Sequence, residues 1–249
     1  MAMPVRITLA FAIGTILLAG TQASSQASSQ PSARPVRILF IGNSLSYSND
    51  GLWTHLTKLS AGTARTVETG RAAFPGEFFR SLWERREPQQ TIRSGKWDVV
   101  VLQEDLPETR VSDFKDYGKR FIDDVRAAGA RPVLLMAWAY PRLGWITQDE
   151  IASAHREMER ELKVPVAPVG LAWQSALGRR PSLALYAGDR EHPTIAGTYL
   201  ATAVVYATVF DSNPAALEYT PRGVSTDDAA FLRQIAWESV QRWRTGNQP

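Results

Sequence analysis

Three short blocks in this sequence combine residue types able to carry acyl transfer: Gly42-Asn43-Ser44-Leu45-Ser46, Gln103-Glu104-Asp105 and Asp189-Arg190-Glu191-His192. A Ser hydroxyl becomes a useful nucleophile when a neighbouring base takes its proton, and neutral His is suited to that task near pH 7. Asp189 and His192 stand three residues apart, within hydrogen-bonding reach on one turn. Such a bond fixes the imidazole tautomer and leaves its other nitrogen free as a base. Gly42 and Asn43 before Ser44 permit a sharp strand-to-helix turn that exposes the hydroxyl, and the backbone N–H groups that follow are then available to an anion. Gln103 offers an uncharged N–H₂ donor suited to an oxyanion. Taken singly, each block reads better as an ordinary turn or helix cap.

The elements around these blocks change that reading. Four apolar runs have strand length and composition: Arg37 to Ile41, Asp98 to Leu102, Pro132 to Met136 and Val164 to Val169, with Thr66 to Glu68 a weaker fifth. Their near-continuous apolar character fits strands buried on both faces, as in a parallel sheet. Helical patterns lie between them. Leu52, Leu56 and Leu59 recur at helical spacing behind Asp50 as N-cap; Phe78, Phe79, Leu82 and Trp83 form another face; Phe114, Tyr117, Phe121 and Val125 lead to a stop at Gly129. Ile151 to Leu162, Ala196 to Phe210 and a last helix through Leu232, Ile235, Val240 and Trp243 follow. Strands alternating with helices predict an α/β fold, a three-layer sandwich with a central parallel sheet in one domain. Sites in such folds form where the chain leaves the C-terminal ends of the strands, which is where Ser44 and Gln103 stand. The chain holds three His, and His55 and His155 fall on the polar sides of amphipathic helices, where they read as surface residues.

The order of the blocks carries more than any one of them. A turn Ser after the first strand, an amide donor after the third and Asp-x-x-His before the final long helices resemble the SGNH (GDSL-like) hydrolase superfamily, which shares a flavodoxin-like sandwich. Gly42 to Leu45 matches its nucleophile block and Asp189 with His192 its closing block. The wording of Trp97 to Glu104 and of Asp189 to Leu200 is similar to a bacterial branch with Gly-Asn-Ser. The resemblance spans nearly all of residues 36–211. It implies Ser44 as nucleophile, His192 as base and Asp189 as its orienting partner. It also implies an oxyanion hole of the Ser44 N–H, a Gly N–H from the second block, and a third-block amide. Gly76 is the choice for that glycine and Gly70 the fallback. The third block of the family carries Asn, where this chain has Gln103.

The reading that follows is a serine esterase working through an acyl-enzyme, without cofactor or metal. Its substrate is a small-molecule or carbohydrate ester. Of the eight Trp, Trp53, Trp83 and Trp243 fall beside apolar helix faces and read as packing. Trp138 and Trp145 flank the segment after the fourth strand and, with Asn43 and Glu104, are candidates to line a pocket, although core packing suits Trp138 equally well. Two rivals remain. One is a catalytically silent carbohydrate- or ligand-binding module on the same fold, against which the complete Ser, Asp and His set argues. The other is a flavodoxin-like nucleotide or flavin binder, for which Asn43 to Ser48 supplies only a faint phosphate loop.

Composition is that of an ordinary globular chain of 249 residues, 44% hydrophobic and 21% charged. The net charge is +3, with basic residues interspersed among acidic ones, as in Arg85-Arg86-Glu87, so no nucleic-acid stripe is expected. Arg6, an uncharged apolar run from Thr8 to Gly20 and the small residues Thr21-Gln22-Ala23 read as a signal peptide over residues 1–23. The run is short for a membrane anchor, so the expected mature protein is exported, periplasmic or secreted, with no stable anchor after cleavage. Residues 24–35, rich in Ser, Gln and Pro, read as a disordered linker before a hydrolase domain over 36–249. With no Cys, that domain must be stabilised by its core alone.

Overall fold

The computed structural model describes residues 1–2, 34–61 and 63–246. Apart from Met1 and Ala2, the segment read as a signal peptide lies outside the described residues, as does the linker up to residue 33. No helix among the described residues is long and apolar enough to cross a membrane.

Five strands form one sheet: β1 (Val36–Gly42), β2 (Val67–Ala73), β3 (Val99–Gln103), β4 (Arg131–Leu135) and β5 (Val166–Ala167). Their order is β2-β1-β3-β4-β5, and every neighbouring pair is parallel. Parallel neighbours need crossovers, which the helices supply: α1 (Ser44–Tyr47) and α2 (Gly51–Ser60) after β1, and α3 (Phe79–Arg85) and α4 (Glu87–Ser94) after β2. Next come α5 (Val111–Ala127) after β3, α6 (Gln148–Leu162) after β4, and α7 (Val169–Arg179), α8 (Ile195–Phe210) and α9 (Thr226–Thr245) after β5.

Side chains alternate along each strand, so the sheet is buried on both faces. Ile38, Phe40, Val99, Val101 and Val133 point to one face, under α2, α7, α8 and α9. Leu39, Ile41, Val100, Leu102 and Leu134 point to the other, under α3, α5 and α6 with Phe79, Phe114, Phe121 and Ile151. This is the three-layer α/β sandwich expected from the alternation of elements. Helix α8 is buried all round from Ala196 to Val209, which suits a helix enclosed by α2, α7 and α9.

Several elements depart from expectation. The weak strand at Thr66 to Glu68 is a seven-residue edge strand, β2, whose half-exposed positions account for its polar residues. The run Val164 to Val169 yields only the two-residue β5, because Pro165 and Pro168 lack an N–H for the ladder and α7 starts at Val169. Asp50 makes no side-chain cap and adopts a left-handed conformation. Helices α4 and α7 were not expected from the apolar spacing.

Candidate active site

Strand β1 ends at Gly42, and the chain turns at once into α1, with Asn43 as N-cap and Ser44 as the first helical residue. The Asn43 side-chain oxygen accepts from Leu45 N–H at 3.1 Å, so the helix start is capped from within the turn. Ser46 and Tyr47 N–H donate to Asn43 O. The Ser44 N–H donates to no group among the described residues. It stays available beside the Ser44 hydroxyl.

The second half of the site hangs from the N-terminus of α8. Tyr186 and Pro193 form an antiparallel bridge, Ala187 N–H donates to His192 O at 2.7 Å, and Thr194 caps α8. Residues 189–192 are the tip of this narrow loop, turned by Arg190 at φ +62°. One Asp189 oxygen accepts from the Glu191 and His192 N–H groups, both at 3.0 Å, and the other meets His192 Nδ1 at 2.8 Å. The Glu191 N–H, with the His192 bonds behind it, holds the Asp189 carboxyl below the usual carboxylate range. His192 Nε2 lies 2.8 Å from Ser44 Oγ. The structure thus joins the three residues in one line of hydrogen bonds, with a carboxylate that stays charged, an oriented imidazole and a hydroxyl at its free nitrogen.

Gly76 lies beside the Ser44 turn. The loop after β2 is tied to it on either side: Phe74 N–H donates to Gly42 O at 3.0 Å, and Asn43 Nδ2 donates to Glu77 O at 3.1 Å. Between these ties Gly76 takes φ +65°, a left-handed turn that suits glycine. Gly70 does not reach the site. It pairs with Leu39 in mid-strand and lies under the Trp97 ring, three residues short of the end of β2.

The structure corrects the expected role of Gln103 as an oxyanion donor. Its Oε1 accepts from Asn43 N–H and from Ser46 Oγ, both at 2.9 Å. A backbone N–H can meet only the oxygen of an amide, so this fixes which way the side chain faces. Its Nε2 is sealed from solvent and meets no partner among the described residues. Gln103 therefore supports the turn from below, and Gly42 makes room for it: a Cβ there would stand 2.5 Å from Gln103 Oε1.

Glu104 and Asp105, also buried, serve the same underside. Glu104 accepts from Phe79 N–H at 2.9 Å and from Asp105 N–H at 2.7 Å, and burial pushes its carboxyl up to about 8 despite both bonds. It lines no pocket. Asp105 accepts from Asn43 Nδ2 at 3.0 Å and from the Tyr140 hydroxyl, and burial raises it to about 6. Asn43, 1% exposed, is likewise a strut of the turn rather than a pocket wall. The carboxylates of Asp105, Glu108 and Glu191 gather within 4.8 Å of one another, but Arg142 binds both Glu108 and Glu191 and supplies the counter-charge.

Trp138 is core. It stacks on Trp173 with centroids 4.0 Å apart and donates to Glu191 O at 3.0 Å, which steadies the loop next to His192. Trp145 differs: it is 68% exposed, and its Nε1 is spent on Pro107 O at 3.0 Å, so its ring face is left open. His55 and His155 are both buried, contrary to their expected surface positions. A second layer covers the polar side of each helix: Tyr219 over His55, and Phe114, 4.7 Å between centroids, over His155. Burial pushes His155 down to about 4 and His55 below the usual imidazole range.

The sequence matches no family model and no curated protein. Solved structures do match. A DUF4886 family protein from Bacteroides uniformis superposes with a TM-score of 0.73 at 16% identity, covering 86% of this chain and 97% of that one. A lipase/acylhydrolase from Enterococcus faecalis gives 0.58 at 16% identity, over 75% of this chain and 99% of that one. At such identities the likeness concerns the fold. A candidate SGNH hydrolase from Slackia heliotrinireducens reaches 27% identity with a TM-score of 0.58, over 71% of this chain and all of that one. With a parallel sheet of this order and neighbours of this kind, the chain has the fold of the SGNH (GDSL-like) hydrolases and is similar to that superfamily.

Proposed function

We propose that this protein is an exported serine esterase that cleaves carboxylic esters through an acyl-enzyme. The observation that carries the proposal is the hydrogen-bonded line Asp189–His192–Ser44 at the C-terminal edge of the sheet. His192 Nε2 takes the Ser44 proton as Oγ attacks the ester carbonyl, and a tetrahedral oxyanion forms. The Ser44 and Gly76 N–H groups receive that charge, two backbone donors held by the turn and the loop tied to it. His192 passes its proton to the departing alkoxide, which leaves as the alcohol. It then takes a proton from water, whose oxygen attacks the acyl carbonyl, and returns that proton to Ser44 Oγ as the ester bond to it breaks, releasing the acid and the free hydroxyl. Asp189 stabilises the imidazolium in both halves.

The carbohydrate side of the proposal rests on Trp145. Its open face lies on the loop that Arg142 joins to Glu191, the neighbour of His192. A sugar ring could stack there while its acyl group reached Ser44. Export rests on the charge and apolar pattern of residues 1–23. Hydrolysis of p-nitrophenyl acetate by the purified protein tests the esterase, and its absence at every pH from 6 to 9 would favour a silent binding module. Mass spectrometry of native protein tests export, with a new N-terminus expected near Ser24.

A further inference from the structure

Three successive residues directly behind the nucleophile helix have left-handed backbones: Asn49 at φ +54°, Asp50 at +70° and Gly51 at +80°. Two of the three carry a Cβ, so the conformation is disfavoured and persists only where its surroundings impose it. The bonds that impose it are specific. Gly51 N–H donates to Ser48 O at 3.1 Å, and Thr54 Oγ1 donates to Asp50 O at 2.8 Å. Asn49 O accepts from buried His55 Nε2 at 2.8 Å, which places the imidazole proton on Nε2. His55 Nδ1 then accepts from the Tyr219 hydroxyl at 2.8 Å. Burial favours the neutral ring that this pattern needs.

The consequence is at the Asn49 side chain. Its Nδ2 donates to Pro193 O at 2.9 Å and to Thr198 Oγ1 at 2.8 Å. Pro193 follows His192 directly, and Asn49 follows Ser44 by five residues. One amide group therefore joins the segment that holds the nucleophile to the segment that holds the base, 144 residues apart in the chain. We propose, building on the esterase reading, that Asn49 is a positioning residue whose amide sets the separation of Ser44 and His192.

The left-handed backbone provides a clean test. Asn49→Gly keeps the backbone conformation at no steric cost and removes only the amide. For p-nitrophenyl acetate, kcat should fall by roughly tenfold to a hundredfold, since small misplacements of reacting groups carry penalties of that size. KM should stay near wild type, fluorophosphonate labelling of Ser44 should slow in parallel, and the thermal midpoint should move little. Asn49→Asp, which presents an oxygen to the Pro193 carbonyl, should lose at least as much. Thr198→Val deletes one of the two acceptors and should give a smaller, several-fold loss in kcat. Wild-type kcat in a folded Asn49→Gly variant overturns the proposal. Should that variant prove unstable, unchanged kcat in Thr198→Val overturns it instead. A wild-type enzyme without Ser44-dependent turnover would refute the esterase reading itself, so the two failures are distinguishable.

Discussion

His192 Nε2 lies 2.8 Å from Ser44 Oγ although 148 residues separate the two in the chain. The contact is made by two scaffolds far apart in the chain, a capped turn at the end of β1 and a narrow loop held to the start of α8. On the Ser44 side, Asn43 and Gln103 fix the turn. On the His192 side, Asp189 spends one oxygen on the loop backbone and the other on the ring.

Because Asp189 has both duties, its removal should do more than lower the basicity of the ring. His192→Ala should abolish ester hydrolysis, whereas Asp189→Ala should leave a residual rate. Asp189→Asn can still accept from the Glu191 and His192 N–H groups, so it should keep the loop but offer the ring a weaker partner. Its kcat should be low with a near-normal thermal midpoint, while Asp189→Ala lowers both. Steady-state kinetics and thermal unfolding of the three variants check this. Equal midpoints for Asp189→Ala and Asp189→Asn would contradict the structural half of that role.

Gln103 should behave as a strut. Gln103→Ala leaves the buried Asn43 N–H without its acceptor, at a cost of about 1–3 kcal/mol. Stability and kcat should therefore fall together, with the midpoint lowered by several degrees. A donor to the oxyanion would behave otherwise, lowering kcat by about 10²–10³ with stability intact. That second pattern would return Gln103 to the oxyanion hole.

Glu104 should make the fold sensitive to alkali. Its carboxyl is raised from 4.5 to about 8 by burial, so the folded state holds the proton more tightly than the unfolded chain. The stability this supplies is full below 4.5 and is lost as pH rises through about 8. Asp105, raised to about 6, and the buried imidazoles act on the acid side of about 6.5 and Asp189 lower still, so the upper end of the Glu104 change, from about pH 7 to 9, is the clean window. The thermal midpoint of wild type should fall across that window. Glu104→Gln should start lower, because its N–H₂ meets a backbone N–H, but should show a flatter curve. An equally steep fall in Glu104→Gln would assign the effect elsewhere.

Much of this arrangement is legible in the sequence, and the reason differs by element. β1, β3 and β4 are apolar on both faces because helices cover both, so their runs stand out. β2 is an edge strand, and Glu68, Thr69 and Arg71 hide it among surface-like residues. Ser44, Asp189 and His192 stand out in the sequence because the turns that present them are local and leave local patterns, and the structure brings the three together. What a pattern along one helix cannot reveal is the layer beyond it, which is why His55 and His155 read as exposed. Nor does Gln103 reveal from its position which end of its amide meets the turn; that is set by the Asn43 N–H across the sheet. Asn49 carries the faintest signal of all, as its partners Pro193 and Thr198 lie far along the chain.

The central claim is that Ser44 is the nucleophile, and covalent labelling tests it most directly. Wild-type protein treated with a fluorophosphonate should gain one adduct, found by peptide mass spectrometry on Ser44. Esterase activity should disappear in step with it. Ser44→Ala should take up no label and lose on the order of 10⁶ in rate, while remaining folded. Labelling at another serine, or undiminished labelling and turnover in Ser44→Ala, would contradict the account.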